Sequence, residues 1–122
     1  MSMNVLVVDD DPDLRGLVAT VLQDEGHSVS QAANGRDALE LVQSQPFDAI
    51  LTDGCMPLLD GAELAARCQQ LPGRADTRVI LITGADYGNA PAGVESLLRK
   101  PFTLDQLLDA VRPATISEAA GV

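Results

Sequence analysis

The feature that most constrains this chain is a set of short runs almost free of polar residues. Asn4 to Val8 (NVLVV), Ala49 to Thr52 (AILT) and Val79 to Thr83 (VILIT) carry no alternation of apolar and polar side chains. A strand with one face in water alternates; runs like these must be buried on both faces. Ser28 to Ala32 reads as a weaker strand, and Leu97-Leu98 marks a short fifth one. Between the runs lie stretches of helical period. Leu14, Leu17, Val18, Val21 and Leu22 fall on one face of a helix that starts at Pro12-Asp13 and is stopped by Gly26. Asn34-Gly35 is a turn signal before a second helix, Arg36 to Ser44, with Ala38, Leu39 and Val42 inward. Asp60-Gly61 precedes a third helix through about Gln70. Thr103 is an N-cap for a last helix to Val111, with Leu104, Leu107, Leu108 and Val111 on one face. Strand and helix alternate along the whole chain, which predicts an α/β fold: a parallel sheet with helices on both faces.

Length and charge narrow the function. A chain of 122 residues is one domain. Aromatics are only 2%, so the core must be built from Leu, Val, Ile and Ala. Eighteen acidic residues against eight basic ones give a net charge of −10, which opposes binding to nucleic acid or to anionic membranes. No apolar run of membrane-spanning length and no basic-then-apolar leader is visible, so the expected location is the cytoplasm. Cys55 and Cys68 read as free thiols in a reducing compartment. With His27 the only histidine, and placed in a polar turn, neither a zinc site nor a Ser or Cys triad is expected. His27 itself reads as a solvated turn residue.

In a doubly wound sheet, ligands bind beyond the carboxyl ends of the strands. The first strand here runs into Asp9 and Asp10, the third into Asp53 and the fourth into Thr83-Gly84; the fifth is followed by Lys100, the only lysine. Three carboxylates brought together repel one another, so one must protonate or a cation must join them. Oxygen ligands without His or Cys suit a hard cation, with Mg²⁺ the natural candidate, and Mg²⁺ commonly couples carboxylates to a phosphate. Lys100 and the Thr83 hydroxyl can hold phosphate oxygens, Gly84 leaves room for a substrate, and one aspartate can act as the nucleophile that forms an acyl phosphate.

Four segments at those strand ends, VLVVDDDP at 5–12, TDGCMPLLDG at 52–61, VILITG at 79–84 and RKPF at 99–102, together resemble the receiver domain of two-component response regulators. The resemblance covers about residues 3–112; residues 1–112 are read as the receiver domain and 113–122 as a flexible tail. It implies a flavodoxin-like, five-stranded sheet of order 2-1-3-4-5. It implies that Asp53 is the phospho-accepting residue and that Asp9, Asp10, Asp53 and the backbone carbonyl of Cys55 hold Mg²⁺. Thr83 then resembles the hydroxyl that moves toward the phosphoryl group, Lys100 the cation that pairs with it, and Lys100-Pro101 the family's cis peptide. The implied partner is a sensor histidine kinase or a histidine phosphotransfer protein, with a weak homodimer allowed. The module would catalyse only its own phosphorylation and dephosphorylation, so it is not read as an enzyme.

Two positions depart from that pattern. Leu97 stands three residues before the lysine, where the family carries Tyr or Phe, which bears on the conformational switch. The segment from Thr83 to Lys100 is short and contains Gly88, Pro91 and Gly93, which leaves no room for a full fourth helix. Shortened segments of this kind resemble receivers attached to hybrid histidine kinases. Two rival readings remain: a receiver-like interaction module independent of phosphate, and an aspartyl-phosphate hydrolase. The hydrolase lacks a general acid-base beside Asp53, since position 55 is Cys, and lacks a lid.

Overall fold

The computed structural model describes residues 2–54, 59–74, 76–84 and 91–112. Strands β1 (Asn4–Val8), β2 (Ser28–Ala32), β3 (Ala49–Asp53), β4 (Arg78–Thr83) and β5 (Ser96–Arg99) form one sheet in the order β2-β1-β3-β4-β5. All neighbours run parallel. The described residues form four helices, α1 (Pro12–Asp24), α2 (Gly35–Ser44), α3 (Gly61–Gln70) and α4 (Leu104–Val111). Fold class and strand order agree with the expectation.

The apolar runs divide by parity, because successive side chains of a strand point to opposite faces. Leu6, Val8, Ile50, Val79 and Leu81 go to one face, where Ala38 and Val42 of α2 and Leu64, Ala65 and Cys68 of α3 cover them. Val5, Val7, Ala49, Leu51, Ile80 and Ile82 go to the other, under Val18 and Leu22 of α1 and Leu107 and Val111 of α4. Each fully buried Val, Leu or Ile contributes about 1.5–3 kcal/mol, so two such faces supply the main stabilising term without aromatic bulk.

Every helix in the described residues begins with a side-chain cap. The Asp11 carboxylate accepts from Asp13 N at 3.0 Å, Asn34 from Asp37 N at 2.8 Å and Asp60 from Glu63 N at 2.8 Å. Thr103 and Gln106 form a reciprocal capping box. These caps satisfy helix-end N–H groups that would otherwise lack partners. Asn34-Gly35 therefore starts a helix directly instead of making a separate turn. At the far end of α1, Gly26 takes φ +94°, a left-handed conformation that glycine adopts without steric cost.

Several expectations need correction. Leu17 is 61% exposed. The buried face of α1 centres near Leu22, and at 3.6 residues per turn Leu17 lies about 140° away from it; Ala19 is buried instead. Leu104 is 55% exposed, because it opens α4 and a first-turn side chain tilts past the helix end. His27 is half-buried rather than solvated, and its Nδ1 accepts from Met3 N at 3.1 Å, fixing the entry into β1.

Among the described residues between β4 and β5, no helix occurs. Pro91 to Val94 form a turn, with Val94 N donating to the Pro91 carbonyl at 3.0 Å. The turn places Val94 in the core. Gly93, at φ +87°, sits so close to Ala65 of α3 that a Cβ would stand 3.2 Å from its backbone. The segment at 85–90, with Gly88, and the expected tail at 113–122 lie outside the described residues.

Candidate functional site

The ladder that builds the sheet also positions the site. Asp9 N donates to Ala32 O at 3.2 Å, extending the β1–β2 pairing by one residue. Asp53 ends β3 opposite Ile82, and the next N–H, of Gly54, donates to Ile82 O at 2.8 Å. Thr83 ends β4, and its carbonyl accepts from Lys100 N at 2.8 Å. The peptide between Lys100 and Pro101 is cis. The register thus delivers Asp9, Asp53, Thr83 and Lys100 to one edge, at the switch point between β1 and β3.

Carboxylate oxygens of Asp9, Asp10 and Asp53 lie within 4.8 Å of one another. Asp9 and Asp53 are buried, 3% and 8% exposed, whereas Asp10 faces solvent. Thr83 is also buried. Lys100 Nζ stands 3.9 Å from Asp53 Oδ1. Burying carboxylates is costly unless charge or hydrogen bonds compensate. Asp9 shows the cost: burial, and then the charges of Asp53 and Asp10, push its carboxyl above the usual aspartate range, against the Asp11 N–H and Lys100, which pull it down. One lysine facing three carboxylates leaves the site deficient in positive charge. A donor set of oxygens alone, this closely spaced, fits a hard divalent cation such as Mg²⁺.

Local contacts hold the acidic loop in place. Asp9 Oδ1 accepts from Asp11 N at 2.9 Å. The Asp9 carbonyl accepts from Arg15 Nη1 at 2.8 Å, and Arg15 Nε donates to Gln31 Oε1 at 3.2 Å. Arg15 was not singled out from the sequence, although it is the only basic residue between Asp9 and Asp24. Gly61 supports the other side of the site. A Cβ there would meet the Leu81 side chain and come within 2.6 Å of the Asp53 carbonyl oxygen, so the role is close approach. Gly84 is exposed, with open space where a Cβ would be. Leu97 is half-buried against the core on the α2–α3 side. Cys55, Met56 and Pro57 lie outside the described residues. None of the helices formed by the described residues is long and apolar enough to cross a membrane.

Comparison with known proteins agrees with this geometry. The family model described as the response regulator receiver domain matches residues 5–112. The response regulator MprA of Mycolicibacterium vanbaalenii is 39% identical over 118 residues, covering 92% of this chain and 50% of that protein. The chain thus spans about half the length of the curated relatives it matches. Among solved structures, the chemotaxis response regulator CheY4 of Vibrio cholerae superposes with a TM-score of 0.83 at 30% identity, over 91% of this chain and 97% of that one. The response regulator TrrA of Thermotoga maritima, solved in complex with Mg²⁺ and BeF, gives 0.79 at 31% identity, over 88% and 95%.

Proposed function

Because the chain belongs to the response-regulator receiver family, we propose that it accepts a phosphoryl group on Asp53 from the phosphohistidine of a sensor kinase or a histidine phosphotransfer protein. An Asp53 carboxylate oxygen attacks phosphorus, the P–N bond breaks, and the histidine nitrogen leaves with the electron pair and regains a proton. The observation that carries this reading is the spacing of the three carboxylates with Lys100 beside Asp53. Asp9, Asp10 and Asp53 would hold Mg²⁺, with the Cys55 carbonyl as the remaining ligand implied by the resemblance. When bound, Mg²⁺ supplies positive charge that neutralises carboxylate repulsion and the charge of the transferred group. Lys100 offers a cation to the phosphoryl oxygens, and Thr83 offers a hydroxyl. The site turns over nothing but its own aspartyl phosphate; its product is a shift in conformational population that changes partner binding. We place this activity in the cytoplasm.

Intact-mass spectrometry after incubation with acetyl phosphate, and separately with a phosphohistidine donor, tests the proposal. A Mg²⁺-dependent gain of one phosphoryl group, absent in Asp53→Asn, is expected. No gain from either donor, with Mg²⁺ binding demonstrated, would sink it.

One observation favours a second reading, a module that binds partners without phosphate: Leu97 replaces the aromatic residue that resemblance couples to Thr83. Full partner binding and signalling by Asp53→Asn would decide for it.

A further inference from the structure

The chain has eight basic residues, and six of them are engaged. Arg15, Arg74 and Arg78 donate to carbonyl or side-chain oxygens, Lys100 and Arg112 face carboxylates, and Arg99 has a partner as well. Arg36 and Arg67 have no hydrogen bond or ion pair among the described residues, and both line one cavity of about 440 Å³. Arg36 stands in the first turn of α2 and Arg67 in the last turn of α3. Leu39 and Leu59 are the other described residues that line it.

The acids nearby make no ion pair with the two arginines among the described residues. The Asp37 carboxylate accepts from the Asn34 side chain, and Asp60 caps α3. Glu40 and Glu63 stand one turn from Arg36 and Arg67 on the same helices, yet no ion pair joins them among the described residues. Such exposed pairs on a helix are weak in any case. The apolar wall has a firm backing: Gly35 lies so close to Leu59 that a Cβ would collide with the Leu59 backbone.

Two guanidinium groups without an ion-pair partner among the described residues line one cavity, so their N–H donors are available there to a ligand. Guanidinium matches phosphate oxygens by paired N–H donors, and the α2 N-terminus adds a dipole of the same sign. Two positive charges match a dianion. The buried Leu59 and half-buried Leu39 favour a ligand that also carries apolar surface. We propose that the α2–α3 cavity binds a small phosphate monoester with an apolar body, at a site that shares no described lining residue with the Asp9–Asp10–Asp53 cluster.

Phenyl phosphate in Mg²⁺-free buffer with chelator is the probe, followed by NMR of the arginine Nε–Hε groups and leucine methyls. Saturable shifts are expected at Arg36, Arg67, Leu39 and Leu59, and these should persist in Asp53→Asn. Arg36→Gln and Arg67→Gln should each weaken binding by about tenfold, which corresponds to losing one charge-assisted contact. Both side chains are exposed, so the variants should keep the wild-type melting temperature. Inorganic phosphate and hexanoate should bind more weakly, one lacking the apolar body and the other the second charge. Equal shifts at Arg112 and Arg74, unchanged affinity in the variants, or binding of a glutamate-rich peptide in place of phenyl phosphate would overturn the proposal.

Discussion

Lys100 Nζ stands 3.9 Å from Asp53 Oδ1, and Lys100 is the only lysine in the chain. The distance is long for a tight ion pair and the lysine is partly solvated, so the pair contributes little to folding. Its position beside the proposed acceptor gives it weight in the phosphorylated state, where charge on the oxygens is larger. Lys100→Ala should leave the unfolding free energy, read from urea denaturation, within about 1 kcal/mol of wild type. The same change should slow phosphoryl incorporation by about 10- to 100-fold, by loss of a cation at the transferred group. Parallel unfolding and mass-spectrometric time courses separate the two effects; a loss of stability matched by no loss of rate would contradict the assignment.

Asp9 links pH to stability and to the proposed metal binding. Its carboxyl titrates above the ordinary value of 3.8, chiefly through burial and then through Asp53 and Asp10. The folded state therefore holds this proton more tightly than the unfolded chain. The stability the proton contributes is complete below the unfolded value and is lost as pH rises through the folded one. At neutral pH the ionised group weakens the metal-free fold. Asp9→Asn keeps an oxygen for the Asp11 N–H and removes the charge, so it should raise the melting temperature of chelator-treated protein by a few degrees. Mg²⁺ should raise the melting temperature of the wild type, and Asp9→Asn should abolish that gain. For the wild type, calorimetric Mg²⁺ affinity should fall as pH drops toward the raised value, since the proton competes with the cation.

Much of this architecture was legible because one physical rule governs it. A strand buried on both faces has no alternation, so Val5–Val8 and Val79–Ile82 announced themselves, and the polar residues just after them had to share an edge. Aspartates at 9, 10 and 53 came together as that rule required. Strand order came from family resemblance, because periodicity does not specify neighbours. Helical faces were less legible: the Leu17 stripe gives a period but not the azimuth of the buried side, which depends on where the sheet lies. The roles of Arg15 and His27 were hidden for a different reason. Each bonds a backbone group, Asp9 O or Met3 N, and a backbone partner leaves no trace in residue type.

The last helix depends on its first residues. Thr103 and Gln106 satisfy each other's backbone N–H groups at 3.1 and 2.9 Å, and α4 is only eight residues long, too short to persist without a cap and its packing. Thr103→Ala should cost about 1 kcal/mol. Hydrogen exchange should show the loss as faster exchange along α4, with the amides of β1 and β3 slowed or quickened only by the global change. An α4 exchange rate unchanged relative to β3 would mean that packing of Leu107 and Val111 alone holds the helix.

Two glycines should respond in opposite ways to the same substitution. Gly16 lies within α1 with nothing within 4 Å of where a Cβ would stand. Alanine there restricts the unfolded chain and removes glycine's helix penalty, so Gly16→Ala should stabilise by about 0.5–1 kcal/mol. Gly61 opens α3 against the end of β3, where a Cβ would collide with the Leu81 side chain and stand 2.6 Å from the Asp53 carbonyl oxygen. Backbone must move to admit it, and overpacking of this kind costs about 1–3 kcal/mol. Because the atom displaced belongs to Asp53, Gly61→Ala should also slow phosphoryl incorporation, while Gly16→Ala should leave it unchanged. Urea denaturation of both variants with phosphorylation time courses checks this. If Gly61→Ala proved destabilised yet phosphorylated at the wild-type rate, the close approach would serve packing alone and not the placement of Asp53.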